Sequence, residues 1–369
     1  MQSAQFHAAR GGLTRRGLCT RSLAAWGLVL AGGALGGCAT IRSRVGGGGG
    51  DAALLLPLSG DAGPVGRNMS RAASLVVPPD GGQTPTFDTE DTVAGTRAAA
   101  ARALDGGARM LLGPLRAEQT PGVLELAGDV PVVTFSNDDR LAAQGAFVMG
   151  ITPAQSVAAT FSYARAQGLR RVAMVATPGP LGEATAVAVR QLAPAGDLSL
   201  TGVLTRDAGD PGLVADLRSA SGGTLPDAVF LPDGGRALTA FATALAGAGP
   251  RLMGGVQWGV LDVADVPALE GSWFAAPSPA SFVPFLESFE LRFGEAAGIV
   301  AALGHDAALM AAALGNDRAM NRAGLTRSDG FRGALGGFRF LDDGRCQRDL
   351  SVLTVENGEV VAIAEVAGT

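Results

Sequence analysis

Lysine is missing from this chain. All 29 basic residues are arginine, and we interpret this as a compositional bias, because the chemistry of one site would not remove every lysine. The formal charge is −5, and no basic face stands out in the sequence. Nucleic-acid binding is therefore not expected, since that function requires clustered positive charge.

Histidine and cysteine are also scarce. Beyond residue 38 the only histidine is His305 and the only cysteine is Cys346. That part of the chain can therefore form no internal disulfide. The serine-hydrolase elbow, the zinc-protease helix, the phosphate loop and the dinucleotide fingerprint are all absent. We interpret His305 as a satisfied residue between lobes and Cys346 as an incidental thiol. The sequence therefore predicts a protein that is not an enzyme and has no metal and no cofactor.

The N-terminus is typical of a targeting segment. Residues 1–37 carry four arginines and no acid, and an apolar run over 23–35 that is shorter than the roughly 20 residues needed to span a bilayer. The run ends in Leu-Gly-Gly before Cys38, a tetrapeptide that resembles a bacterial lipobox. We predict a lipoprotein signal peptide over 1–37 and lipidation of Cys38. Its Arg15-Arg16 pair leaves the export route open between the general and the twin-arginine pathways.

A glycine-rich tether is predicted over 38–50, because five consecutive glycines do not fold into a packed structure. The predicted location is thus the periplasm, with the folded part anchored to a bacterial membrane through Cys38. Without residues 1–37 the charge becomes about −9.

From residue 51 onward, apolar strand patterns alternate with helical patterns. The run over 52–58 is continuously apolar, which is typical of a strand buried on both faces. A helix is predicted over 67–77, and the alternation continues with a second series over 151–276. This order predicts an α/β fold with parallel sheets covered by helices on both faces.

Two polar loops follow neighbouring strand patterns. The first loop contains Arg116 and Gln119 after a strand near 109–112, and the second contains Ser136 and Asn137 after a strand near 130–135. The carboxyl ends of parallel strands are where open α/β sheets usually bind ligands. We therefore predict that the two loops form one wall of a binding site.

Several motifs together resemble a known family. They are A-L-L-L-P-L-S-G (53–60), G-A-R-M-L-L-G-P-L (107–115), V-P-V-V-T-F-S-N-D (130–138) and G-H-D-A (304–307). In this order they resemble type I periplasmic solute-binding proteins of the leucine-binding class, and within that class they look most like the penicillin-binding-protein activator lipoproteins. The resemblance implies two doubly wound parallel-sheet lobes with a cleft between them. It assigns 51–150 and 277–326 to the N-terminal lobe, and 151–276 and 327–369 to the C-terminal lobe.

The same resemblance places ligand contacts at strand ends. The predicted ligand-binding residues are Ser59, Arg116, Gln119, Ser136, Asn137, Thr177 and Trp258. Arg116 can hold an anionic group bidentately, but Glu118 beside it would repel a free amino-acid carboxylate. The alternatives are that Ser136 and Asn137 only cap the following segment and that Trp258 only packs.

Two functions follow from the resemblance. The first is a lipid-anchored regulator of peptidoglycan synthesis of the penicillin-binding-protein activator kind, which would bind a peptidoglycan synthase. The alternative is the substrate-binding component of an ABC importer for branched-chain amino acids or amides, with an ABC permease as partner and a small amino-acid-like ligand. Both functions act by binding rather than by catalysis.

Overall fold

The computed structural model describes residues 52–77, 81–195, 197–260 and 263–368. The predicted signal peptide, the tether and the lipidation site Cys38 lie outside these residues. The described chain forms two large sheets flanked by helices and one small antiparallel sheet. The α/β fold class predicted from the sequence is confirmed.

The first lobe is built on a five-stranded sheet in the order β2-β1-β3-β4-β5, in which every pairing is parallel. Its strands and helices up to the first crossover are β1 (Ala52–Leu56), α1 (Gly63–Ala73), β2 (Thr86–Asp88), α2 (Val93–Asp105), β3 (Met110–Leu112), α3 (Thr120–Ala127), β4 (Val132–Thr134) and β5 (Phe147–Val148).

The second lobe is built on a seven-stranded sheet in the order β15-β14-β10-β9-β8-β6-β7. Only the pairings of β14 with β10 and with β15 are antiparallel. Its first elements are α4 (Pro153–Ala166), β6 (Arg171–Ala176), α5 (Pro180–Ala195), β7 (Ser199–Thr205), α6 (Leu213–Ala220), β8 (Ala228–Leu231), α7 (Gly235–Leu245), β9 (Arg251–Gly254) and β10 (Trp273–Ala276).

The last part of the chain crosses between the lobes. It contains α8 (Pro279–Phe293), α9 (Ile299–Asn316), α10 (Arg322–Leu325), β11 (Phe331–Gly333), β12 (Gly336–Phe340), β13 (Cys346–Arg348), β14 (Leu350–Glu356) and β15 (Glu359–Val366). Helix α9 packs on α1 of the first lobe, whereas β14 and β15 complete the second sheet. Helix α9 is long and apolar enough to cross a membrane, but it is 56% buried within the protein, as expected of a core helix.

Strand β1 shows how the sequence produces the layers. Leu54 and Leu56 face a core shared with α1, α8 and α9, while Ala53 and Leu55 face a core shared with α2 and α3. Alternate residues of the strand are therefore buried on opposite faces of the sheet. This confirms the prediction of a strand buried on both sides.

Local signals fix the starts of the helices. Thr152 accepts a hydrogen bond from the Gln155 backbone N–H at 3.3 Å, and the Gln155 side chain accepts one from the Thr152 N–H at 2.8 Å. This reciprocal capping box, followed by Pro153, begins α4 at the first crossover. The helix predicted over 67–77 begins earlier, at Gly63, because Pro64 suits the first turn of a helix.

Candidate ligand-binding site

The predicted contact residues lie where strands of the two large sheets end. On the first sheet, Ser59 follows β1, Arg116 and Gln119 follow β3, and Ser136 and Asn137 follow β4; on the second, Thr177 follows β6 and Trp258 follows β9. The turn after β3 is tight: a Cβ on Gly113, whose φ is +127°, would lie 2.3 Å from the Leu55 carbonyl oxygen. A glycine at this position lets the loop leave the sheet close beside β1.

Asp88, at the end of β2, holds the loop that follows β1. Its carboxylate accepts hydrogen bonds from the backbone N–H groups of Leu58 at 2.9 Å and Ser59 at 3.3 Å, and from the Ser59 hydroxyl at 2.8 Å. A fourth bond comes from the Glu90 N–H at 2.8 Å. Burial raises the pKa of Asp88, but these hydrogen bonds outweigh burial and hold the pKa below its ordinary value. The donors that a ligand carboxylate would use after β1 are thus occupied by the chain itself.

Asp91 accepts hydrogen bonds from the guanidinium group of Arg116 in a similar way. The Arg116 Nε and Nη2 atoms lie 2.5 and 2.8 Å from the two carboxylate oxygens, and the Ala62 N–H donates to Asp91 at 3.0 Å. The hydrogen bonds that Arg116 donates to Asp91 lower the pKa of Asp91 and raise the pKa of Arg116. Glu118 and Asp61 are near enough to raise the Arg116 pKa further. Arg116 therefore sits among acids, already paired bidentately with one of them.

The loop after β4 is organised as a cap. The Ser136 hydroxyl accepts from the Asp138 N–H at 3.1 Å, and Asp138 accepts from the Arg140 N–H at 3.1 Å at the start of a 3-10 helix. The Arg140 side chain also pairs with Asp138, at 2.8 and 2.7 Å. The Asn137 side chain is exposed and has no hydrogen-bond partner among the residues that the structure describes. Of this loop, Asn137 is thus the side chain most available to a solute.

Gln119 lies beneath the surface rather than on it. Its residue is 2% exposed, and its Oε1 atom is buried without a hydrogen-bond partner in the described chain. A buried amide oxygen without a donor is destabilising. Ligand contact by Gln119 stays a prediction.

On the second sheet, the two predicted residues also have partners within the chain. The Thr177 N–H donates to Asp233 at 3.0 Å, and the Thr177 hydroxyl donates to the other oxygen of that carboxylate. Trp258 is fully buried, donates its indole N–H to the Leu231 carbonyl at 2.9 Å, and stacks on Phe274. Trp258 thus has the packing role that was its alternative, and its contact with a ligand stays a prediction.

Between these strand ends the second lobe presents a narrow apolar slot. Leu181, Phe230, Val256 and Gln257 contribute to its walls. Its volume of about 10 Å³ is close to the space needed for one water molecule. The slot can thus accept a methyl-sized group only if the surrounding loops move.

The residues that sequence reasoning missed are the acids that fill the site. Asp88 was not identified as a site residue, but it is partly buried and accepts four hydrogen bonds. Asp91 and Asp233 were not identified as partners of Arg116 and Thr177. A weak signal existed, since each of these acids directly follows a strand or lies within three residues of one.

Comparisons with known proteins agree with this architecture. The family model described as periplasmic binding protein matches residues 52–359. No curated protein matches the chain significantly.

Solved structures with the same fold include several transporter components. The chain is 21% identical to a putative branched-chain amino acid ABC transporter protein from Rhodospirillum rubrum, covering 85% of this chain and 99% of that one, with a TM-score of 0.72. It is 21% identical to a solute-binding protein from R. palustris in complex with benzoate (86% and 96% covered, TM-score 0.62). It is 18% identical to a branched-chain amino acid transporter binding protein from Streptococcus pneumoniae in complex with isoleucine (86% and 99% covered, TM-score 0.63). At these identities the likeness concerns the fold.

Proposed function

The chain belongs to the periplasmic binding protein family, and on that basis we propose that it binds a small solute between its lobes and presents it to an ABC permease. The observation that carries this proposal is the match of the family model to nearly the whole described chain. The solved relatives described as transporter binding proteins support the importer function. They fit it more closely than they fit the regulator of peptidoglycan synthesis that the sequence motifs first suggested.

The internal carboxylates suggest which solutes fit. Leu58, Ser59 and Arg116 already donate to Asp88 and Asp91. A free carboxylate would have to displace one of these pairs and leave an acid without donors, which is unfavourable. We propose that the solute is an amide or another neutral polar molecule rather than a free amino acid.

A melting-temperature screen tests the importer function. We expect a neutral amide such as isovaleramide to stabilise the full chain. A solute at 100 times its Kd adds about 2.7 kcal/mol, which for a chain of this size corresponds to a rise of about 4 °C. The variant Asn137→Ala should reduce this rise, and Asn316→Ala, which removes an exposed amide at the end of α9, should not. If no neutral amide raises the melting temperature, or if Asn137→Ala leaves the rise unchanged, binding of a neutral solute at the strand ends is rejected.

The regulator of peptidoglycan synthesis remains the second candidate, and one observation favours it. The donors at the ends of β1 and β3 are satisfied within the chain, so these loops keep their form without a solute. A protein that acts through its outer surface needs such a stable cleft and no ligand. The motifs that resemble the activator lipoproteins support the same function.

Affinity capture separates the two candidates. An activator should retain a peptidoglycan synthase from detergent-solubilised envelopes and increase its glycan-polymerising rate when both are purified. An importer component should retain a permease instead. Failure to change the rate of any synthase of the same organism would exclude the regulator.

Lipid anchoring through Cys38 forms a separate part of the proposal. Mass spectrometry of the mature N-terminus should find a diacylglyceryl-modified Cys38. The variant Cys38→Ser should move the protein from the membrane fraction to the soluble periplasm. An unmodified Cys38 in a membrane-bound protein would contradict lipid anchoring.

A further inference from the structure

A second cavity lies beside the first crossover between the lobes. Its volume is about 250 Å³, and it shares no lining residue with the predicted ligand contacts at the strand ends. Thr152 and Gln155 line it at the start of α4, and Leu192 lines it from α5. Asp139 and Arg345 also line it. Both lobes therefore contribute to its walls.

Two opposite charges line this cavity without forming an ion pair with each other in the described chain. Asp139 is partly buried and forms no ion pair with any residue that the structure describes. Burial raises the pKa of Asp139; a hydrogen bond with Thr152 and the nearby charge of Arg345 lower it in part. Arg345 uses Nε and Nη2 on Asp343, at 2.7 Å each, and its Nη1 has no partner in the described ranges. A carboxylate and a guanidinium group thus each have unused hydrogen-bonding capacity.

A second guanidinium group lines the cavity: Arg348 is 2% exposed, and its Nε and Nη1 atoms have no hydrogen-bond partner in the described chain. The Gln155 amide is used at both ends, accepting from the Thr152 N–H at 2.8 Å and donating to the Cys346 carbonyl at 2.6 Å. The remaining surface is largely aliphatic, and includes Leu192 and Val366. A ligand would therefore be oriented by the Asp139 carboxylate and the guanidinium groups of Arg345 and Arg348, and its apolar part would pack on the aliphatic wall.

We propose that this cavity binds a small zwitterion with an aliphatic body, placing its ammonium group on Asp139 and its carboxylate on Arg345. The volume is slightly below the roughly 300–1,000 Å³ of sites for drug-sized ligands, which suits a molecule of amino-acid size. This site goes beyond the proposed function, because it lies outside the strand-end loops and does not depend on what they bind.

Because of the position of the cavity, a bound zwitterion would affect how the two lobes are arranged. The turn that carries Arg345 is tied to the first lobe, because the Val148 N–H donates to the Gly344 carbonyl at 2.9 Å. Leu192 belongs to the second lobe. A ligand that touches both sides has a different affinity for each relative arrangement of the lobes, so it shifts their equilibrium. By linkage, a solute bound at the strand ends would in return change the affinity of the cavity for the zwitterion.

Cys346 provides a local readout, because it lines the cavity and is only 8% exposed. The experiment measures the rate at which methyl methanethiosulfonate modifies Cys346 in the full chain, by mass spectrometry of the peptide that contains it. L-valine at ten times its Kd should slow modification about tenfold, since only the free form is reactive. Methylamine and acetate, each carrying one of the two charges, should protect far less.

Two variants and a matched control complete the test. Asp139→Asn and Arg345→Gln should lose the protection by L-valine, while Asp129→Asn, which removes an exposed acid elsewhere, should keep it. Thermal melts establish that each variant is folded. No protection of the wild-type chain by L-valine overturns the proposal, as does equal protection by methylamine or undiminished protection in Asp139→Asn. If Asn137→Ala loses binding of the neutral solute at the strand ends but L-valine still protects Cys346, the two sites bind independently. That result would leave the zwitterion site in place and reject only a coupling between the two sites.

Discussion

The substitution Asp88→Gly tests whether the Asp88 side chain occupies a site that could otherwise bind the carboxylate of a ligand. The substitution removes the acceptor of four hydrogen bonds and leaves a space beside the loop that follows β1. The donors left behind are three backbone N–H groups and the Ser59 hydroxyl. An added carboxylate small enough to enter that space should then bind where the Asp88 side chain was.

The expected loss of stability follows from the geometry. Three of the four donor–acceptor distances are 2.8–2.9 Å and the fourth, from the Ser59 N–H, is 3.3 Å. A hydrogen bond to a charged group contributes about 1.5–3 kcal/mol, but Ser59 and Glu90 are exposed, so water replaces part of that contribution. We therefore expect Asp88→Gly to lower the free energy of unfolding by about 2–3 kcal/mol.

Urea unfolding with and without formate measures both effects. Formate at 100 mM should restore about 1 kcal/mol to Asp88→Gly, which corresponds to a Kd near 20 mM. It should not stabilise the wild-type chain, and sodium chloride of equal ionic strength should not replace it. A variant as stable as wild type, or one that formate and chloride stabilise equally, would refute the idea of an internally filled site.

Three further perturbations test other parts of the structure. Arg116→Met should cost about 1–2 kcal/mol near neutral pH, between the values for exposed and buried pairs, since the side chain of Asp91 is 7% exposed and that of Arg116 41%. Because the folded-state pKa of Asp91 is lowered, this contribution is present above its unfolded value of about 3.9 and is lost as the pH falls through the folded-state pKa, so urea curves of the two proteins should converge in acid. Trp258→Phe should cost about 2–3 kcal/mol by leaving the Leu231 carbonyl buried without a donor, while solute affinity measured by calorimetry stays unchanged. Asp306→Asn should cost about 3 kcal/mol in urea, because this fully buried carboxylate accepts two backbone N–H groups, at 2.6 and 3.0 Å, near a buried arginine.

Much of the fold could be predicted because its signals are local. The apolar run of β1 and the Thr152–Pro153 start of α4 each specify an element within a few residues. The Asn357-Gly358 dipeptide is likewise a local signal, typical of a hairpin turn, and it joins β14 to β15. The turn between β11 and β12 has a weaker local signal. It is held by Asp306, which accepts from the Ala334 N–H and lies 28 residues away in the sequence. The boundaries of the two lobes stay a prediction.

The candidate site was predicted less well because its partners are distant in sequence. The guanidinium group of Arg116 can pair with any nearby carboxylate. The sequence shows that this group is present but not which carboxylate it binds. Asp91 is 25 positions away and reaches Arg116 only because β2 and β3 both pair with β1. No local pattern encodes that meeting.

The internal acids also limit how far a family resemblance reaches. A motif such as L-S-G at a strand end specifies where N–H and O–H donors point, and the donors of Leu58 and Ser59 are present here. Whether they bind a ligand depends on competition with Asp88, whose position is already fixed by folding and which therefore loses little freedom by binding. An external carboxylate must pay that ordering cost and also displace an acid that would then lack its four donors. A strand-end motif therefore predicts the fold reliably, but it predicts a ligand only where the chain leaves the donors free, and in this lobe Asp88 and Asp91 occupy them.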